Sequence, residues 1–163
     1  MSFPRENPGS GWELAEHVAE TLDIGPGTRV FEVDCGSGSF LLPLHANGYI
    51  VGGIDADVDA IARATASMPD GIFQVGAASA LDPAIPWDVV ICRSFSSVPE
   101  LDYARGILAR MFAKATHAIA ILDVPDERRS WMVHALAEVG ANAIQIEAVR
   151  DTDAERFHVL ARV

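Results

Sequence analysis

The residues best placed to do chemistry are Val30-Phe31-Glu32-Val33-Asp34-Cys35-Gly36-Ser37-Gly38-Ser39, together with Asp55 further along the chain. A Gly-x-Gly turn lets backbone approach a ligand closely, and a carboxylate about twenty residues on, at the end of a second strand, can accept from both hydroxyls of a ribose. The pattern points to a nucleoside cofactor. Charge then separates the candidates. A pyrophosphate needs the positive end of a helix unopposed and a third glycine for close packing, whereas Leu41 holds that third position and Glu32 and Asp34 flank the turn. Two carboxylates repel a pyrophosphate and suit a ligand carrying an ammonium and a sulfonium, with the turn's amides left for its carboxylate. S-adenosylmethionine fits that description better than NAD does.

The elements that must hold these residues are legible from periodicity. Arg29 to Asp34 is a short β-branched and aromatic run, and after the glycine turn Phe40 to Leu44 opens a helix in which Pro43 falls in the tolerated first turn. Upstream, Ser10-Gly11-Trp12-Glu13 has capping-box spacing, and Leu14, Ala15, Val18, Ala19 and Leu22 recur as on a helix that Gly25-Pro26-Gly27 ends. Tyr49 to Ile54 reads as the second strand, ending at Asp55, and Val58, Ile61 and Ala62 mark the next helix. Ile72 to Val75 and Trp87 to Cys92 are the third and fourth strands, the last suiting a centre buried on both faces. A helix over Tyr103 to Ala115, a fifth strand over His117 to Leu122 and a helix from about Glu127 to Val139 follow. The segments either side of Arg150 to Glu155 read as an antiparallel hairpin, with Ile144 to Ala148 patterned like a half-exposed edge. Strands alternating with helices and then a hairpin predict an α/β, Rossmann-like doubly wound sheet of seven strands, mostly parallel, with its site at the carboxyl ends. At 163 residues the chain is expected to form a single domain over 1–163.

Composition narrows the partners. Half the residues are hydrophobic, which excludes a disordered acidic chain, and the net charge of -11 repels phosphate backbones, so nucleic acid is not expected as a partner. Cys35 and Cys92 form no C-x-x-C pair and read as reduced thiols, and the five histidines show no ligand spacing, so no metal is expected. The leading residues lack an apolar targeting core and no stretch is long enough to span a bilayer, giving a cytoplasmic expectation with no membrane partner.

With these residues in place, the chain from Trp12 to Val163 resembles the class I S-adenosylmethionine-dependent methyltransferases, as a small, minimal bacterial-type member. The family's first motif runs hydrophobic-hydrophobic-acid-hydrophobic-Gly-x-Gly-x-Gly; Val30, Phe31, Glu32, Val33, Gly36 and Gly38 match it, and Asp34 stands where the first glycine is expected. The resemblance implies a cofactor site of Glu32, Asp34, Cys35, Gly36, Gly38, Asp55, Ala56, Ala77, Ala78 and Arg93. Asp55 would take the ribose, and the Gly76 to Leu81 segment would line the adenine, with Ala77 where the family often has Asp. Trp87 to Ser94 resembles the fourth motif but lacks the Asn/Asp-Pro-Pro-Tyr signature of amino-nitrogen methylation. The chain also lacks the Pro-Cys nucleophile of cytosine-C5 enzymes. Leu101-Asp102-Tyr103-Ala104 and Ile121 to Asp126 resemble small methyltransferases of polysaccharide or secondary-metabolite pathways, so the implied acceptor is a small molecule.

Direct displacement from a sulfonium asks the protein to align the acceptor and exclude water, and a base is needed only for a hydroxyl or protonated amine. No catalytic residue is assigned. Ser94, Ser96 and Ser97 are the substrate candidates, with turn capping as their alternative, and Asp123 and Asp126 follow the fifth strand, Asp126 with N-capping as its alternative. Arg93 either binds an anion or pairs with a surface acid, Glu32 has an alternative as anchor of the turn's amides, and Trp12 and Arg5 are placed to fold over the cofactor. Few residues remain for substrate recognition, which leaves the site open or completed by a second subunit, a homodimer being the simplest case. Two other classes stay open: a protein that binds S-adenosylmethionine or S-adenosylhomocysteine without transferase activity, and a nucleotide-dependent oxidoreductase that would prefer NAD.

Overall fold

The computed structural model describes residues 10–93, 95, 100–148 and 156–163. Its strands are β1 (Arg29–Val33), β2 (Ile50–Asp55), β3 (Ile72–Val75), β4 (Trp87–Cys92), β5 (Ala115–Pro125), β6 (Asn142–Ala148) and β7 (Arg156–Arg162). Its helices are α1 (Ser10–Thr21), α2 (Leu41–Ala46), α3 (Val58–Ser67), α4 (Leu101–Lys114) and α5 (Arg129–Glu138). The strands form one sheet in the order β3-β2-β1-β4-β5-β7-β6. β1 to β5 run parallel, and β7 pairs antiparallel with both β5 and β6. The doubly wound, hairpin-ended architecture expected from the sequence is the one observed.

The strand sequences explain why the sheet is covered on both sides. Phe31 and Val33 of β1, Val90 and Cys92 of β4 and Ile119 and Ile121 of β5 face the layer that contains α4 and α5. Val30, Val89, Ile91, Ala118, Ala120 and Leu122 face the layer of α1, α2 and α3. Such continuous apolar runs are stable only when both faces are packed. Alanines on the second face of β5 give room for Ala15 and Val18 of α1 and for Leu22 just after it. Phe31 and Trp87 meet edge to face with centroids 5.2 Å apart. The Lys114 ammonium, at the last residue of α4, donates to the carbonyls of Asp82 and Ile85 at 2.7 and 2.8 Å and so ties the loop before β4 to the helix end.

Several expectations shift in detail. β5 begins directly after α4 and runs to Pro125, so Asp123 lies within the strand rather than in a loop beyond it; its φ is +60° and its N–H donates to His158 Nδ1 at 3.0 Å. Asp126 opens a 3-10 turn, Asp126–Arg128, without capping it, and pairs with Arg129 at 3.7 Å. Trp12 is half-buried against the α1 to α3 layer. Arg5, Ser94, Ser96 and Ser97 lie outside the described residues. Among the described residues no helix is long and apolar enough to cross a membrane, and no group of three or more potential ligands could hold a metal ion.

The order of winding fixes where a ligand can sit. The chain leaves β1 toward β2 and β3 on one side and crosses to β4 and β5 on the other, so the helices diverge above the carboxyl ends of β1 and β4. An open α/β sheet binds ligands in that crevice.

Candidate cofactor site

Parallel register brings the sequence-selected residues to this one edge. Val33 is level with Ile54 of β2 and with Cys92 of β4, and Asp55 is level with Val75 of β3. Glu32, Asp34, Cys35, Gly36 and Gly38 therefore stand at the end of β1, Asp55 and Ala56 at the end of β2, Ala77 and Ala78 after β3, and Arg93 after β4.

The β1–α2 turn is built on left-handed backbone at Asp34 (φ +55°), Gly36 (+54°) and Gly38 (+77°). Glycine takes that conformation without a steric cost and Asp is among the few other residues that tolerate it, which explains how Asp34 stands in the family's glycine position. The Cys35 N–H donates to Ile54 O at 3.1 Å, the Gly38 N–H to Cys35 O at 2.9 Å, and the Leu42 N–H to Gly38 O at 2.9 Å, so the turn is pinned to β2 and leads into α2. A Cβ on Gly38 would lie 2.4 Å from Met68 Cε, while one on Gly36 would meet nothing within 4 Å. Gly36 thus leaves open space against its backbone, as close approach of a ligand requires. A β-branched residue at Asp34 is expected to cost about 1–2 kcal/mol from the left-handed backbone alone. Asp34→Val should therefore lower the urea midpoint while Asp34→Gly keeps it near the wild-type value.

Asp55 is the anchor of the turn. Its Oδ2 accepts from the Gly36 N–H at 2.7 Å and its Oδ1 from the Asp57 N–H at 2.8 Å. A carboxylate has about four lone-pair directions, so acceptor capacity remains for a diol. Asp57 in turn caps α3, accepting from the Asp59 and Ala60 amides at 2.9 and 3.1 Å. The Gly76 N–H donates to Asp55 O at 2.8 Å, which draws the Ala77 and Ala78 segment to the same place.

Glu32 does not anchor the turn's amides; that alternative falls to Asp55. The Glu32 side chain points to the α1 to α3 face of β1, fully buried, and its Oε1 accepts from Arg93 Nε at 2.7 Å. Arg93 therefore pairs with a buried acid rather than a surface one. Its guanidinium lies 5.2 Å from the Phe40 ring centroid and reaches Ser39 Oγ at 3.4 Å. Glu32 Oε2 is buried without a hydrogen-bond partner among the described residues. Ser39 and Phe40 read in sequence as turn and helix residues with no role of their own; only their contact with Arg93 singles them out.

The Glu32 carboxyl is raised to about 7: burial raises it most, the Arg93 charge and hydrogen bond hold it down, and Asp55 and Asp34 add to the rise. The consequence for stability has a definite sign. Between pH 4.5 and about 7 the folded chain holds a proton that the unfolded chain has released, so stability falls as pH rises through this window and levels off above it. The contribution is about 3 kcal/mol in full. Urea unfolding of wild type and Glu32→Gln at pH 5 and pH 8 isolates it, because the other titrating groups cancel in the difference. Wild type should lose stability relative to Glu32→Gln as the pH is raised.

Cys35 is no nucleophile here. Burial first, then the Glu32 and Asp55 charges, push its thiol up to about 12, and Cys92 is buried as well.

This architecture is shared with solved structures. Magnesium protoporphyrin IX methyltransferase from Synechocystis PCC 6803, solved with bound S-adenosylmethionine, superposes with a TM-score of 0.79 over 94% of this chain and 80% of its own, at 17% identity. An amino pentose methyltransferase of calicheamicin biosynthesis from Micromonospora echinaspora gives 0.79 over 95% and 92%, at 15% identity. The chain has the fold of S-adenosylmethionine-dependent methyltransferases. A TehB-like methyltransferase from Corynebacterium glutamicum shares it at a TM-score of 0.74 and 16% identity, over 96% of this chain and 89% of that one. No family model matches the sequence. Two curated 23S rRNA (uracil(1939)-C(5))-methyltransferases match part of it. The protein from Methylococcus capsulatus is 31% identical over 70 residues, 43% of this chain and 16% of that protein. The protein from Nitrosococcus oceani is 37% identical over 65 residues, 40% and 14% of the respective lengths. The matched stretch is thus a small fraction of either relative. In the methyltransferase fold seen here, the acid-lined turn, Asp55 and Arg93 occupy the crevice between β1 and β4.

Proposed function

We propose that the chain is an S-adenosylmethionine-dependent methyltransferase acting on a small-molecule acceptor by direct displacement. The observation that carries the reading is the turn itself: three left-handed residues tied to Asp55 through the Gly36 amide, with open space over Gly36 and carboxylates around it. These features fit the cofactor. An orphaned carboxylate oxygen on Glu32 suits an ammonium, Asp55 has capacity left for the ribose hydroxyls, and Ala77 and Ala78 border the space for a base. Asp34, Cys35, Gly38 and Ala56 complete the proposed cofactor set, and Arg93 borders it on Glu32. S-adenosylmethionine brings an electrophilic methyl group on sulfur, which an acceptor lone pair takes as the carbon–sulfur bond breaks and its electrons return to sulfur. The protein's part is to hold the sulfonium side against the carboxylates, orient the acceptor opposite the methyl group and keep water out. Acceptor contact is assigned to Ser94, Ser96 and Ser97 after β4, in a single domain at work in the cytoplasm.

A small acceptor is favoured by the net charge of -11, and the likeness to the amino pentose enzyme supports a sugar or secondary-metabolite acceptor. The rRNA-directed relatives favour a second reading, an RNA acceptor. Against carbon methylation of a pyrimidine stand two buried cysteines, one with its thiol raised to about 12, because that chemistry needs a thiolate. Parallel calorimetric titration with S-adenosylmethionine, S-adenosylhomocysteine and NAD tests the cofactor. Micromolar binding of the first two is expected, and binding of NAD alone would overturn the reading. Transfer of labelled methyl to 23S rRNA, with none to sugar or metabolite pools, would replace the acceptor class and leave the cofactor in place.

A further inference from the structure

Arg93 lies across the crevice between the two central strands. It follows the last residue of β4, which is level with Val33, and its side chain crosses to Glu32 of β1 and to Ser39 of the turn over the face of Phe40. The two partners differ in freedom. The Glu32 side chain is fully buried, whereas the Arg93 side chain is 30% exposed. Their contact is also one-sided: Nε reaches Oε1, and Oε2 is left buried without a hydrogen-bond partner among the described residues. The favourable mode for this pair is two parallel hydrogen bonds, so the guanidinium holds Glu32 by half of what its chemistry allows. Once ionised, a buried carboxylate nevertheless needs a cation beside it. An alkylammonium, compact and with three donors, can serve both oxygens from one position.

Resting on the cofactor reading above, we propose that Arg93 is an internal cation seated in the ammonium subsite, and that cofactor binding exchanges its guanidinium on Glu32 for the ligand's ammonium. The exchange keeps Glu32 paired before and after binding. It also makes the site selective: a nucleoside without an ammonium leaves Arg93 where it is and gains nothing from Glu32, and a phosphate-bearing nucleotide meets the carboxylates instead. Arg93 thereby lowers affinity for every ligand that must displace it, and it sharpens the preference for cationic ones.

The test pairs S-adenosylhomocysteine with 5′-methylthioadenosine, which keeps the nucleoside and thioether but lacks the amino acid portion. Titrations of wild type, Arg93→Gln and Arg93→Ala are made at pH 8.5, above the value of about 7 that Glu32 has beside Arg93. Both variants should bind S-adenosylhomocysteine at least tenfold tighter than wild type, with methylthioadenosine affinity within twofold. In wild type the Arg93 Nε–H proton resonance, protected by Glu32, should lose its protection on saturation with S-adenosylhomocysteine and keep it with methylthioadenosine. That second readout needs no variant to fold. Equal or weaker S-adenosylhomocysteine binding by the variants, or an Nε–H that stays protected at saturation, would overturn the exchange while methylthioadenosine binding leaves the cofactor reading intact. Failure of both nucleosides to bind any of the three proteins would overturn the cofactor reading, and the exchange with it.

Discussion

Asp55→Ala should lower affinity for S-adenosylmethionine by roughly 10- to 100-fold, corresponding to about 1–3 kcal/mol. Two losses combine in that figure. The proposed ribose contact disappears, and so do the anchors on the Gly36 and Asp57 amides at 2.7 and 2.8 Å, which fix the turn against β2 and position the start of α3. Asp55→Asn separates the two, because its amide oxygen can keep one backbone amide while the negative charge is gone. Calorimetric titration of both variants should show Asn intermediate between wild type and Ala. Wild-type affinity in Asp55→Ala would remove Asp55 from the site.

Gly53→Ala should destabilise the fold by about 1–3 kcal/mol and disturb the turn at the same time. Gly53 has ordinary extended backbone, so the demand on it is spatial: an added Cβ would lie 2.6 Å from Cys35 Sγ, 2.7 Å from Cys35 Cβ and 3.1 Å from Glu32 O. Cys35 belongs to the turn and is pinned there by its N–H to Ile54 O, so it cannot swing away without moving the backbone next to Gly36. For a chain of this size each kcal/mol lowers the melting temperature by about 2–4 °C. Thermal unfolding should show the drop, and Cys35→Ala in the same chain should restore part of it by removing the sulfur. A Gly53→Ala protein with unchanged melting temperature would mean that the turn has slack the geometry does not show.

Much of this was legible because it is local. The glycine turn, Asp55 about twenty residues on and the apolar runs of β1, β2 and β4 are short-range patterns with direct physical meaning. The extent of β5 was not, because Thr116 and His117 at its start are polar and Asp123 sits at an irregularity in its pairing with β7, which comes from far along the chain. The Glu32–Arg93 pair spans 61 residues and depends on β1 and β4 lying side by side, so spacing alone could place neither partner on the other. Anchoring the turn was the alternative that the sequence left for Glu32 beside a cofactor role, and the structure gives that task to Asp55. Gly53 escaped notice for the same reason: its constraint is the neighbouring turn, which only the register of β1 on β2 puts beside it.

In the proposed function, the β1–α2 turn and the end of β2 hold the nucleoside of a sulfonium cofactor. Titration of the 15N-labelled protein with S-adenosylhomocysteine, read at backbone amides, tests it most directly. Saturable shifts are expected at Gly36, Gly38, Asp55, Ala56, Ala77 and Ala78, with β6 and α5 unmoved and no comparable response to NAD. Shifts confined to other parts of the sheet, or the same set moving with NAD alone, would contradict it.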